Sequence, residues 1–314
     1  MAPRKLLLAS PRGYCAGVDR AVDTVERALR HYGPPVYVRK EIVHNGHVVR
    51  ELATRGAVFV ESEADVPEGG LIVLSAHGVA PEVHRRSRER GLHVLDATCP
   101  LVTKVHSEAR RYAAQGYTIV LIGHAGHEEV VGTMGEAPGA IRLVGSVEEI
   151  ERLEVADPLR VAYITQTTLS VDETLEMIAA LRRRFPAVVG PKRDDICYAT
   201  QNRQNAVKQL ARCVDLVLVI GSRNSSNSNR LVEVTRDLGV PAHLIDDESD
   251  IDPAWLAGVE TVGITSGASA PESLVRRVVA HFRRLGVERV ESQATVEEDV
   301  HFSLPAPLRR AVAT

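Results

Sequence analysis

The chain has 314 residues, 44% of them apolar and 25% charged, with a formal net charge of −3. That is the balance of an ordinary soluble globular protein of two or three domains, with no basic stripe to suggest nucleic acid or an anionic membrane. The opening Leu6-Leu7-Leu8 run breaks at Ser10-Pro11-Arg12, too short for a signal peptide or a transmembrane helix, so a cytoplasmic protein is expected.

Short apolar runs alternate with amphipathic stretches from end to end, the pattern of an α/β protein with largely parallel sheets. Leu6-Leu7-Leu8 leads through Pro11-Arg12-Gly13-Tyr14-Cys15-Ala16-Gly17 into a helix marked by Val18, Ala21, Val22, Val25 and Leu29, which Gly33-Pro34-Pro35 stops. Val36-Tyr37-Val38 follows as a strand, then the polar segment Glu41 to Gly46 with His44 in it. Leu71-Ile72-Val73-Leu74 ends in Ser75-Ala76-His77-Gly78. Another run ends in Leu95-Asp96-Ala97-Thr98-Cys99-Pro100, where the helical spacing of Val102, Val105, Ala109 and Tyr112 begins at once. Cys99 thus sits where a strand hands over to a helix, and the unpaired N–H groups and helix dipole there favour a thiolate. The strand from Tyr117 to Ile122 ends in Gly123-His124-Ala125-Gly126-His127-Glu128-Glu129.

The second half repeats this grammar. Val161-Ala162-Tyr163-Ile164 ends in Thr165-Gln166-Thr167-Thr168, and Ser170 with Glu173 reads as a capping box for a helix that closes at Phe185-Pro186. Cys197 lies in the turn Asp194-Asp195-Ile196-Cys197-Tyr198. Leu216 to Ile220 ends in Gly221-Ser222-Arg223-Asn224-Ser225-Ser226-Asn227-Ser228-Asn229, and Val262-Gly263-Ile264 ends in Thr265-Ser266-Gly267-Ala268-Ser269. Ser269 and Glu272 read as a second capping box. Parallel sheets bind ligands beyond the carboxyl ends of their strands, and here those ends carry Cys, His, Ser, Thr, Asn and Gly again and again.

Four widely spaced cysteines favour metal or redox chemistry over a disulfide framework. Cys213, inside the expected helix 205–214, reads as a small core residue. Cys15, Cys99 and Cys197 all lie in turns flanked by Gly, Pro or Asp. Three thiolates without a fourth ligand suit a catalytic zinc or an iron–sulfur cluster with one open iron, and spacing does not choose between them. Five consecutive Ser and Asn residues from Ser225, together with Ser269, exceed what capping a helix requires and point to phosphate. His44, His77 and His127 read singly as hydrogen-bonded loop residues and together as donors to a diphosphate; spacing does not exclude His124. Glu129 reads as a general acid if burial raises its pKa, or as a surface carboxylate at a helix start. Gln166-Thr167-Thr168 is the least specific set. Two other readings fit parts of this pattern: a three-cysteine zinc hydrolase acting on a phosphorylated substrate, and a phosphosugar-sensing module that gives the turn cysteines no task.

Seven blocks in order, from Pro11-Arg12-Gly13-Tyr14-Cys15 through Asp96-Ala97-Thr98-Cys99-Pro100 and Asp194-Asp195-Ile196-Cys197-Tyr198 to the Ser269 loop, resemble the 4-hydroxy-3-methylbut-2-enyl diphosphate reductase family. The resemblance implies a trefoil of three small α/β units around a central metal site, which we place at 16–98, 99–195 and 196–290 with strand segment 1–15, followed by a tail at 291–314. It implies one [4Fe–4S] cluster ligated by Cys15, Cys99 and Cys197, with the substrate hydroxyl on the open iron. It further implies reductive loss of that hydroxyl to give isopentenyl and dimethylallyl diphosphates. His44, His77, His127, Ser225, Ser226, Asn227 and Ser269 match the family's diphosphate positions, Glu129 its proton-delivering acid, and Thr167 the support of the hydroxyl end; His124 falls outside the set. A ferredoxin or flavodoxin donor and a monomer or weak dimer are implied too. Glu128 stands where the family often has proline, which leaves two adjacent carboxylates as candidates for one role.

Overall fold

The computed structural model describes residues 3–312, so the outermost two residues of each expected end segment lie outside it. The first part of the chain forms β1 (Lys5–Ser10), α1 (Ala16–Tyr32), β2 (Val36–Arg39), α2 (Gly46–Thr54), β3 (Ala57–Val60), β4 (Leu71–Leu74), α3 (Pro81–Glu89) and β5 (His93–Asp96). Then come α4 (Pro100–Ala114), β6 (Thr118–Ile122), α5 (Glu128–Glu136), β7 (Ile141–Val144), α6 (Val147–Arg152), β8 (Val161–Thr165) and α7 (Val171–Arg184). The last part forms α8 (Tyr198–Ala211), β9 (Leu216–Ile220), α9 (Ser226–Asp237), β10 (Ala242–Ile245), β11 (Thr261–Ser266), α10 (Glu272–Arg284), β12 (Arg289–Ala294) and α11 (Ala306–Val312).

The strands make three sheets, in the orders β3-β2-β4-β5, β7-β6-β8 and β10-β9-β11-β1-β12, and the pairings within them are parallel. The inner strands read as continuous apolar runs because helices cover both faces: Leu216 to Ile220 in β9 and Ile119 to Ile122 in β6 are buried along their whole length. Two compact units result. One holds the five-stranded sheet (Met1–Val18, His44–Arg50, Tyr198–His301), and the other holds the two smaller sheets (Asp19–Val43, Glu51–Cys197, Phe302–Thr314).

Sequence and structure differ in two local places. Helix α8 stops at Ala211, and Cys213 lies beyond it as an exposed residue, so it is no part of the core. Ser269 does not cap α10; Pro271 occupies that position without a side-chain bond, because the Ser269 hydroxyl donates to the His44 carbonyl at 2.9 Å instead. The Ser170 cap forms as read, its side chain accepting from the Glu173 amide.

Candidate functional site

One local design recurs in the three sheets. Cys15, Cys99 and Cys197 each immediately precede a helix, namely α1, α4 and α8. Each donates its own amide to a carbonyl two residues past the end of a strand: Cys15 to Ala268 after β11, Cys99 to Ala76 after β4, Cys197 to Thr167 after β8. Each sulfur is thereby carried on backbone that a sheet holds in place.

A cation braces each cysteine turn from upstream. The fully buried Arg203 donates to the Gly13 carbonyl at 2.8 Å and is balanced by Glu298. Arg20 donates to the carbonyls of Thr98 and Asp96 at 3.0 and 3.3 Å. Lys104, on the helix that follows Cys99, donates to the Asp194 carbonyl at 3.0 Å and to Asp195 Oδ1 at 2.9 Å. Asp195 Oδ2 accepts the amide of Thr165 at the end of β8, also at 2.9 Å. None of the three cations stood out in the sequence, since each acts on a turn far from it along the chain. Cys15 belongs to the unit of the five-stranded sheet, Cys99 and Cys197 to the other. Among the described residues, no three Cys, His, Asp or Glu side chains are grouped so as to hold a metal ion.

The histidine and serine candidates also occupy equivalent places. His44, His127 and Ser225 each stand five residues past β2, β6 and β9, just before α2, α5 and α9 begin; His77 and Ser269 stand three past β4 and β11. In the unit of the smaller sheets, α5 packs closely on the loop that carries His77. A Cβ on Gly135 would come within 2.3 Å of the Ala80 side chain. This approach brings the rings of His77 and His127 edge to face, 5.9 Å between centroids. His127 caps α5, its Nδ1 accepting the Glu129 amide at 3.2 Å.

Glu129, in the first turn of α5, is 2% exposed. Its Oε1 accepts the Thr167 amide at 2.6 Å and its Oε2 the Thr167 hydroxyl at 2.9 Å. Burial pushes its pKa up to about 7, against the pull of the two Thr167 bonds and with a smaller push from Asp195. Glu128 faces elsewhere: it is half-buried and lies 3.8 Å from Arg39 at the end of β2. Of the two adjacent carboxylates, then, only Glu129 is on Thr167. Glu108 on α4 is a second buried acid, raised to about 7 by burial and by the negative charge of Asp195.

In the other unit, Ser225 caps α9 and accepts the Ser228 amide at 3.3 Å, and its Oγ lies 3.4 Å from Ser269 Oγ. Asn227 uses its Oδ1 to take the Ala268 amide at 2.9 Å, steadying the loop that anchors Cys15. The His44–Arg50 segment is held here by the Gly46 amide on Ser222 Oγ at 3.2 Å, and His44 Nδ1 is 3.4 Å from the Asn224 amide nitrogen. Ser226, first in α9, is half-buried, while His124 is exposed.

A family profile described as "LytB protein" matches residues 6–283. A protein of Acidothermus cellulolyticus named 4-hydroxy-3-methylbut-2-enyl diphosphate reductase is 63% identical over 308 residues, 98% of this chain and 91% of that one. The chain belongs to the LytB family. A like-named protein of Mycobacterium bovis is 61% identical over 98% of this chain and 92% of its own. The solved E-1-hydroxy-2-methyl-but-2-enyl-4-diphosphate reductase of Plasmodium falciparum superposes with a TM-score of 0.94 at 36% identity, over 99% of this chain and 98% of that chain. The three parallel sheets with their helices are thus the family's fold. Among the described residues no helix is long and apolar enough to cross a membrane.

Proposed function

We propose that the protein is an oxidoreductase that removes the allylic hydroxyl of (E)-4-hydroxy-3-methylbut-2-enyl diphosphate, giving isopentenyl and dimethylallyl diphosphates. The observation that carries this reading is the buried Glu129 carboxyl on Thr167, raised to about 7 and so able to hold a proton near neutral pH, in a chain of this family. The reaction takes up two electrons and two protons: the C–O bond breaks, one proton leaves with the hydroxyl as water, and the other ends on carbon.

The cysteines suit an iron–sulfur cluster by their chemistry. They are three soft sulfur donors, each at the start of a helix and each held through its own amide. We assign Cys15, Cys99 and Cys197 as the ligands of one [4Fe–4S] cluster, which when bound supplies the electrons and an iron without a protein ligand. The remaining work falls to the chain. His44, His77, His127, Ser225, Ser226, Asn227 and Ser269 bind the diphosphate, whose binding energy, remote from the reacting carbon, positions the alcohol. Glu129 holds the proton at Oε2, next to a Thr167 hydroxyl that both donates and accepts and so relays it toward the leaving group. A ferredoxin- or flavodoxin-type protein in the cytoplasm completes the reading as electron donor.

The test is turnover without oxygen, with a reduced viologen dye as donor. We expect both product diphosphates from the parent, and neither from Cys99→Ser. A sensing module would bind phosphorylated ligands equally well with Cys99→Ser and reduce nothing in either form, which would end this reading.

A further inference from the structure

Ser228 is 0% exposed, and the proposed diphosphate set does not include it. Its hydroxyl sits where the main chain past β9 and past β11 leaves room only because both residues there are glycine. A Cβ on Gly221 would stand 2.1 Å from Ser228 Oγ, and one on Gly267 2.0 Å from it. Ser228 Oγ is 3.0 Å from Ser225 Oγ, which also accepts the Ser228 amide. Beyond Ser225 the chain of hydroxyls continues to Ser269 at 3.4 Å and ends on the His44 carbonyl at 2.9 Å.

The end of that chain fixes the direction of its protons. A carbonyl only accepts, so the single Ser269 proton is committed to His44, and toward Ser225 the Ser269 oxygen can only accept. At the other end, among the described residues the Ser228 hydroxyl has Ser225 Oγ as its hydrogen-bond acceptor. Ser225 Oγ therefore receives two hydrogens from Ser228, a closer one from the hydroxyl at 3.0 Å and a longer one from the amide at 3.3 Å, which occupy its two acceptor positions. The Ser225 proton is left to be given away. Its internal taker, Ser269 at 3.4 Å, lies beyond the usual range of an O–H···O bond, so an anionic oxygen takes that proton at little loss. The N-terminus of α9 adds its partial positive charge at the same place.

We infer that Ser228 is a positioning residue: by filling the acceptor positions of Ser225 it turns that hydroxyl into a dedicated donor toward a diphosphate oxygen. Removing the Ser228 hydroxyl reopens a lone pair on Ser225, whose proton is then free to rotate away from the ligand. The inference rests on the assignment of Ser225 to the diphosphate.

The experiment measures binding of inorganic diphosphate, by calorimetry, to the full-length protein purified without oxygen. Ser225→Ala is expected to weaken binding roughly 10- to 100-fold through loss of a hydrogen bond to a charged group. Ser228→Ala and Ser228→Cys are both expected to weaken it about fivefold, because a thiol fills the space but is a poor donor. In turnover, the Ser228 variants should lose more in KM than in kcat. Parent-like affinity in Ser228→Cys would show that only packing matters and would overturn the inference, as would parent-like affinity in Ser228→Ala. Failure of the parent to bind diphosphate would instead overturn the assignment of the site itself, whatever Ser228 does.

Discussion

The first turns of α5 and α9 are built alike and solve opposite electrostatic problems. Each follows an inner strand of a parallel sheet, and each has its capping residue, His127 or Ser225, five positions past that strand. At α5 the chain buries an ionisable group. The dipole of a helix start favours carboxylate by about 0.3–1 kcal/mol, and Thr167 adds two bonds to the charged form. Burial nevertheless wins and raises Glu129 from 4.5 to about 7, each pKa unit being worth about 1.4 kcal/mol. At α9 no acidic residue occupies the first turn. Hydroxyls and amides face the same positive helix end, which suits the diphosphate we assign to it. On the assignment proposed above, one scaffold raises the pKa of its own acid in one sheet and receives a negative ligand in another.

The strongest way to break this contrast is Glu129→Gln. Turnover with reduced dye should fall by roughly 10²–10⁴-fold, the range for losing a positioned acid, while affinity for inorganic diphosphate stays near that of the parent. Equal losses in both would mean that the acid end and the anion end are not separable. Thr167→Val comes next, with a rate loss of about tenfold. It removes a bond that favours the charged form of Glu129, so the acid's pKa rises and the alkaline limb of the pH–rate profile, near pH 7 in the parent, should move to higher pH; an unmoved limb would assign it to another group.

Stability supplies a milder test. Glu129 and Glu108 both have raised pKa values in the folded chain, so the folded state binds protons more tightly than the unfolded one between about pH 4.5 and 7. The benefit is complete below that window and is lost as pH rises through it. Glu108→Gln should therefore gain melting temperature relative to the parent at pH 8 and not at pH 4; a constant difference across pH would argue against the raised value. Smallest of all is Glu128→Gln, which should change turnover by less than twofold, since that side chain lies toward Arg39.

Much of this arrangement was legible from local pattern. Apolar runs broken by Gly, Cys and Ser marked strand ends, and helical spacing placed Cys99 at the start of α4, where it is found. What could not be read depends on partners distant along the chain. Ser269 looked like a helix cap because Glu272 stands three residues on, but its hydroxyl is taken by His44, 225 residues away. Cys213 reads as buried because the helical pattern runs on to Val214, whereas α8 ends at Ala211 and leaves the thiol exposed. Arg20, Arg203 and Lys104 gave no sign of their tasks, since the carbonyls they hold lie 76 to 190 residues off. Glu108 carried one partial signal, a position four residues after Lys104 on the same helix, but Asp195 completes that cluster only in the folded chain. Residue type does not separate Glu128 from Glu129; in the fold Glu129 is buried on Thr167, whereas Glu128 is half-buried beside Arg39.

The most direct test of the account is metal analysis, with the visible spectrum, of protein purified without oxygen. The three-cysteine assignment predicts a brown protein with about four irons and four sulfides per chain, and loss of both in Cys15→Ser, Cys99→Ser or Cys197→Ser. A colourless protein carrying one zinc would contradict it and favour a hydrolase built on the same three thiols.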